Sequence, residues 1–147
     1  MKYWINTVSR DHVLMAKAGG FIQAGHGNSA PLKRLSKGDQ VIYYSPRTSL
    51  GEGEAIQRFT AVCQISDDLV YQNETGSSFC PYRRDAIYRD ALEVEIRPLI
   101  PHLSFIGNKK SWGYAFRFGL FPIPEEDFLL IAREMNVRGD VRQEDQR

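Results

Sequence analysis

Cysteine is scarce. Cys63 and Cys80 are the only two in the chain, which excludes a disulfide framework and leaves too few thiolates for a structural zinc site. No apolar run approaches the ~18 residues that a membrane-spanning helix needs. The opening Met1-Lys2-Tyr3-Trp4-Ile5-Asn6 lacks the apolar stretch of an export signal. The cytoplasm is therefore the expected compartment, and no membrane partner is expected. The three histidines, His12, His26 and His102, are far apart, and none has a second ligand at metal-binding spacing. Neither a metal nor any other cofactor is expected. No G-x-S-x-G nucleophile motif occurs. Gly51-Glu52-Gly53-Glu54 is glycine-rich, but it has no Lys-Ser/Thr and its two glutamates would repel phosphate. Cys63 alternates within an apolar strand pattern and reads as an inert core thiol.

The 147 residues, 42% hydrophobic and 25% charged, suit one soluble globular domain. Net charge is only +1, but it is unevenly spread. Residues 1–47 carry seven Lys/Arg against two Asp, residues 48–95 four against nine acids, and residues 96–124 four against none. A nearly neutral chain can thus still present a basic face; the plainer account is that strand ends and loops carry charge for solubility.

Lys2–Val8 alternates as a strand, with Trp4, Asn6 and Val8 on one side. Ser9 precedes a short helix over Arg10–Ala18 that Gly19-Gly20 stops. Phe21–Ala24 is a short strand running into the Gly25–Ser29 loop, and Pro31–Leu35 is a helical turn. Strands are predicted at 40–45, 58–65, 69–73 and 91–97, with a turn at Asp67-Asp68. Pro124 and the acids after it open a helix whose apolar face is Phe128, Ile131, Ala132 and Met135. This is an α+β pattern: a small mixed-to-antiparallel sheet curled into a barrel, with short peripheral helices. The domain spans 1–135, and 136–147 is a polar tail.

Chemistry concentrates where aromatic residues alternate with polar and basic ones. Three segments qualify: Gly20–Gly27, Tyr43–Arg47 and Lys109–Arg117. Phe21, Tyr43 and Phe116 read equally well as core. Aromatics stack bases, Asn and Gln amides read base edges, and Lys and Arg hold phosphates.

At these residues the sequence resembles an EVE domain, a branch of the PUA-like superfamily. The resemblance runs from Tyr3-Trp4-Ile5 through Gly38-Asp39-x-Val41-x-Tyr43-Tyr44-Ser45 to Ser111-Trp112-Gly113-Tyr114-Ala115-Phe116-Arg117-Phe118-Gly119-Leu120. It closes with Ile123-Pro124-x-Glu126-Asp127-Phe128. It implies a PUA-like β-barrel with a surface pocket that binds DNA or RNA through an extruded, modified base. Related YTH domains hold methylated adenine in an aromatic cage, and EVE pockets are associated with methylated or hydroxymethylated cytosine. Carried over by position, Asn6, Phe21, Gln23, His26, Tyr44, Ser45, Arg47, Trp112 and Phe116 are the expected ligand-binding residues. Lys109, Lys110 and Arg117 are the expected phosphate contacts. Many EVE sequences have a Trp in the second strand, where this chain has Phe21-Ile22-Gln23.

The expected activity is non-catalytic reading of nucleic acid. One alternative is a metal-free hydrolase like the ASCH branch of ribonucleases and amidohydrolases, using His26, Arg47 and Tyr44. Another is a sensor of a free nucleoside-like small molecule.

Overall fold

Strand β1, Tyr3–Thr7, organises the architecture. It pairs in parallel with β3, Gln40–Arg47, on one side and antiparallel with β7, Leu120–Ile123, on the other. The computed structural model describes residues 1–74, 76 and 78–137. The tail expected at 136–147 therefore falls largely outside the described residues. Between β1 and β3 run helix α1 (Arg10–Gly19), strand β2 (Phe21–Ile22), a 3-10 turn at Gly25–Gly27 and helix α2 (Ser29–Lys33). Strands β4 (Ala55–Gln72), β5 (Tyr82–Tyr88) and β6 (Val94–Glu95) follow. Two 3-10 segments, Arg97–His102 and Trp112–Phe118, precede β7, and helix α3 is Glu125–Glu134.

Among the described residues the strands form one mixed sheet in the order β2-β5-β4-β3-β1-β7, with β6 paired to β4. The α+β class and the short peripheral helices are as expected. The sheet does not close: no pairing joins β2 to β7. It instead divides two cores. Tyr3, Ile5, Ile42 and Tyr44 pack with the Arg97–His102 segment, Phe116 and the α3 face of Phe128, Ile131, Ala132 and Met135. Trp4, Val41, Tyr43 and Cys63 pack with α1, β2 and α2 through Val13, Ile22 and Leu32. Period-two alternation assigns neighbouring residues to opposite cores. A bulge in β4 resets that alternation, since Tyr43 pairs with Ala61 and Tyr44 with Phe59. Phe59 and Val62 thereby face the same core.

Three expectations are revised. The strands at 58–65 and 69–73 are one strand, with the Asp67-Asp68 turn replaced by a register shift between Ile65 and Val70. The strand at 91–97 shrinks to two residues, because Ile96 already turns to helical backbone as the N-cap of the 3-10 segment and Leu92 is exposed. Strand β5 has no counterpart in the periodicity reading. Its Arg84 occupies an interior position and donates to the carbonyl oxygens of Leu32, Leu35 and Asp67.

Two buried carboxylates fasten the loops. Asp39 accepts from the Lys2 and Ser36 amides and from Trp4 Nε1. Asp127 accepts from the Ser104 amide, the Ser104 hydroxyl and the Phe105 amide. Charged acceptors make such bonds stronger than neutral ones.

Candidate functional site

The parallel strands β1 and β3 end side by side, and a cavity of about 670 Å³ opens beyond their carboxyl ends. Thr7, Val8 and Ser9 continue β1 into it, and Tyr43, Pro46 and Arg47 enter from β3. Helix α1 contributes His12, Met15 and Ala16, which share one face by i, i+3, i+4 spacing. Phe21, Gln23, Ala24, Gly25 and His26 form a second wall. Ser49, Leu50, Gly51, Phe79, Pro81, Arg83 and Gly119 complete the rim. Phe79 and Leu50 are 57% and 71% exposed.

The second wall is rigid for identifiable reasons. Asn6 is buried, and its Nδ2 donates to the main-chain oxygen of Gln23 at 2.9 Å. Tyr88 OH donates to the Phe21 oxygen at 2.7 Å, and the Tyr43 hydroxyl lies 2.9 Å from Tyr88 OH. Phe21 is sandwiched. The Arg83 guanidinium carbon sits 3.8 Å above its ring centroid. On Gly19, an added Cβ would lie 2.3 Å from Phe21 Cε2. Arg83 Nε also donates to Gln23 Oε1 at 2.6 Å. The turn below is left-handed at Gly25, His26 and Gly27, with φ of 57°, 59° and 87°. At Gly27 a Cβ would meet Pro81 at 2.9 Å. His26 holds a conformation that costs a non-glycine residue about 1–3 kcal/mol.

Electrostatically the cavity is one-sided. Arg47, Arg83, His12 and His26 line it, and no Asp or Glu does among the described residues. The Asp11 carboxylate, next in sequence to the α1 wall, accepts from Ser9 Oγ at 2.6 Å and from the His12 amide. The Ser9 hydroxyl foremost holds its pKa below the usual carboxylate range. Burial pushes the Tyr43 and Tyr88 hydroxyls far up and the Cys63 thiol up to about 12, so these groups are neutral spacers. The described residues hold no group of three or more potential metal ligands.

Of the expected ligand-binding residues, Phe21, Gln23, His26 and Arg47 come together on the wall. Asn6 lies behind it as a tether. Ser45 is fully buried, with its hydroxyl 2.8 Å from Thr60 Oγ1. Tyr44, Trp112 and Phe116 pack on the opposite face of the sheet. There Tyr44 is 4.3 Å from Phe116 and 6.3 Å from Trp112, centroid to centroid. Tyr44 alternates with the cavity-lining Tyr43, so it points away from the cavity. Of the expected phosphate contacts, Lys109 Nζ instead donates to the Leu103 and Ile106 oxygens at 2.6 and 2.7 Å. Lys110 is exposed, and Arg117 stacks at 4.1 Å over Tyr114.

Arg83, Phe79 and the α1 residues escaped sequence reasoning. The His12/Met15/Ala16 stripe was a usable signal, whereas Arg83 carried none because its strand was not recognised.

The chain matches the family model of the EVE domain over residues 2–134, and it belongs to the EVE domain family. It is 50% identical over 127 residues to the UPF0310 protein in the gntR 5' region of Bacillus licheniformis, covering 86% of each chain. It is 39% identical over 135 residues to the UPF0310 protein YdcG of Bacillus subtilis, covering 92% of each. Among solved structures it resembles Atu2648 from Agrobacterium tumefaciens, with TM-score 0.60 and 16% identity over 95% of this chain and 97% of that one. It also resembles the Pho92 YTH domain in complex with m6A, with TM-score 0.60 and 15% identity over 95% and 86%. At those identities the likeness is one of fold. No described helix is long and apolar enough to cross a membrane.

Proposed function

We propose that this protein binds nucleic acid by admitting one extruded, modified base to the cavity beside β1 and β3, and that it does so as a reader without catalysis. The observation that carries this reading is the cavity itself, an apolar space of about 670 Å³ with a few convergent polar groups. Ligand sites typically occupy about 300–1,000 Å³ and have this lining. Family membership and the fold shared with a YTH domain support the same reading. Flipping a base costs a few kcal/mol of unstacking. Phe79 at the rim and the Phe21–Arg83 stack in the wall are the planar groups positioned to recover it. Arg47, exposed at the rim, meets a flanking phosphate, and the exposed Lys110 and Arg117, outside the cavity lining, add positive charge for phosphates farther along the strand.

The test is fluorescence anisotropy with short single- and double-stranded DNA and RNA, each with unmodified, methylated or oxidised bases, at two salt concentrations. The expected result is preference for a modified base with affinity that falls as salt rises. Failure of every oligonucleotide to bind overturns the reading. Equal binding of the free nucleoside without salt dependence replaces it with a small-molecule sensor.

A further inference from the structure

The cavity wall carries positive charge with no acidic side chain among the described residues to balance it. Arg83 shows this most clearly. Its Nε is committed to Gln23 Oε1 and its face to the Phe21 ring. The two terminal nitrogens have no protein partner among the described residues, and they form the end-on fork that matches a carboxylate. The same bond fixes the Gln23 side chain: Oε1 must accept from Arg83, so Nε2 is left as a donor. Thr7 Oγ1, where β1 enters the cavity, is buried and has no hydrogen-bond partner among the described residues. A base bearing only a methyl group would leave the Arg83 fork without an anionic partner inside the cavity.

Resting on the base-reading function proposed above, we propose that the preferred ligand is a pyrimidine carrying a ring carboxylate, held by the Nη1/Nη2 edge of Arg83 with Gln23 Nε2 on a neighbouring acceptor. Arg47 has a different task. It is exposed and its Nη1 is tied to the Gly53 oxygen at 2.8 Å, which suits a phosphate outside the cavity. Arg83 is half-buried and doubly anchored, which suits a group inside it.

The experiment compares single-stranded DNA carrying one central 5-carboxylcytosine, 5-methylcytosine or cytosine by anisotropy, and the three free nucleosides by calorimetry. The carboxylated base is expected to bind at least about tenfold more tightly than the methylated one. Arg83→Gln should erase that preference. Gln23→Glu keeps a partner for Arg83 Nε but sets a competing carboxylate beside the fork, so it should erase the preference even if Arg83→Gln folds poorly. Arg47→Gln should weaken all three oligonucleotides alike and leave the order intact. Binding of the methylated base as tight as, or tighter than, the carboxylated one overturns the proposal while the base-reading function stands. Absence of binding by every oligonucleotide and nucleoside removes both.

Discussion

The two faces of the sheet use similar residues to opposite ends. Both carry aromatic rings with arginine laid across them: Arg83 over Phe21 on one side, Arg97 over Trp112 on the other. Around Trp112 the rings close on each other, Tyr44, Phe116 and Phe105 filling the space between sheet and loop. Around Phe21 the same kind of stack stops short and leaves a cavity. The difference lies in what surrounds the rings. The closed face is covered by α3, which brings Phe128, Ile131 and Met135. The open face is covered by α1, whose His12, Met15 and Ala16 line the cavity without filling it, and by a glycine turn with a left-handed backbone. An aromatic-basic motif thus lines a cavity only where its neighbours leave the space beside it unfilled.

The sharpest way to break this comparison is to empty the closed face. Phe116→Ala should cost about 3–5 kcal/mol in denaturant unfolding, while the folded fraction binds ligand with unchanged affinity. Lost affinity at full folding would place Phe116 in the site after all. Alkaline titration tests both faces together. Burial raises the pKa of Tyr43, Tyr88 and Cys63 on the cavity side, and of Tyr44, to about 12, on the other. A raised folded pKa means the stabilisation is complete below the ordinary values of 9.0 for the thiol and 10.0 for the phenols. It is lost as pH rises through that range toward the folded values. Denaturant midpoints should hold to about pH 9 and then decline.

Gly19→Ala sharpens the comparison from the open side. Its Cβ collides with the Phe21 ring, so we expect a loss of about 1–3 kcal/mol by overpacking and a larger fractional loss of affinity than of stability. His26→Gly should relieve the left-handed residue and stabilise by up to about 1 kcal/mol, with thermal unfolding as the readout. Lys110→Ala should be smallest: stability within about 0.5 kcal/mol, and the slope of log affinity against log salt reduced by about one if Lys110 meets a phosphate.

How much of this the sequence revealed follows from which physical signals are local. The alternation of Tyr3–Thr7, the α1 boundaries at Ser9 and Gly20, and the apolar stripe of α3 all come from neighbours within a few residues, and all were legible. Strand β5 was not, because Arg84 fills an apolar-looking position by bonding to carbonyls from α2 and β4 that are distant in sequence. The site divides the same way. Gln23, His26 and Arg47 were legible through the family resemblance, as polar residues in or just after short strands. Tyr44, Trp112 and Phe116 were legible as aromatics but not as belonging to the other face, since that depends on which side of the sheet the Trp112–Phe118 segment packs and on which side of β3 the cavity opens. Arg83 needed β5 before it could be placed.

The walls of the cavity come from residues near 7, 23, 47, 83 and 119. No contiguous stretch contains it. During folding it can appear only after β1 has met both β3 and β7 and β5 has met β2, all pairings of long sequence separation and therefore slow to nucleate. The cavity thus depends on all of these pairings at once, and fraying at any of them opens it. A ligand at a hundredfold excess over its Kd would then add about 2.7 kcal/mol against opening of the whole domain. In amide exchange its arrival should slow the central strands and the rim alike.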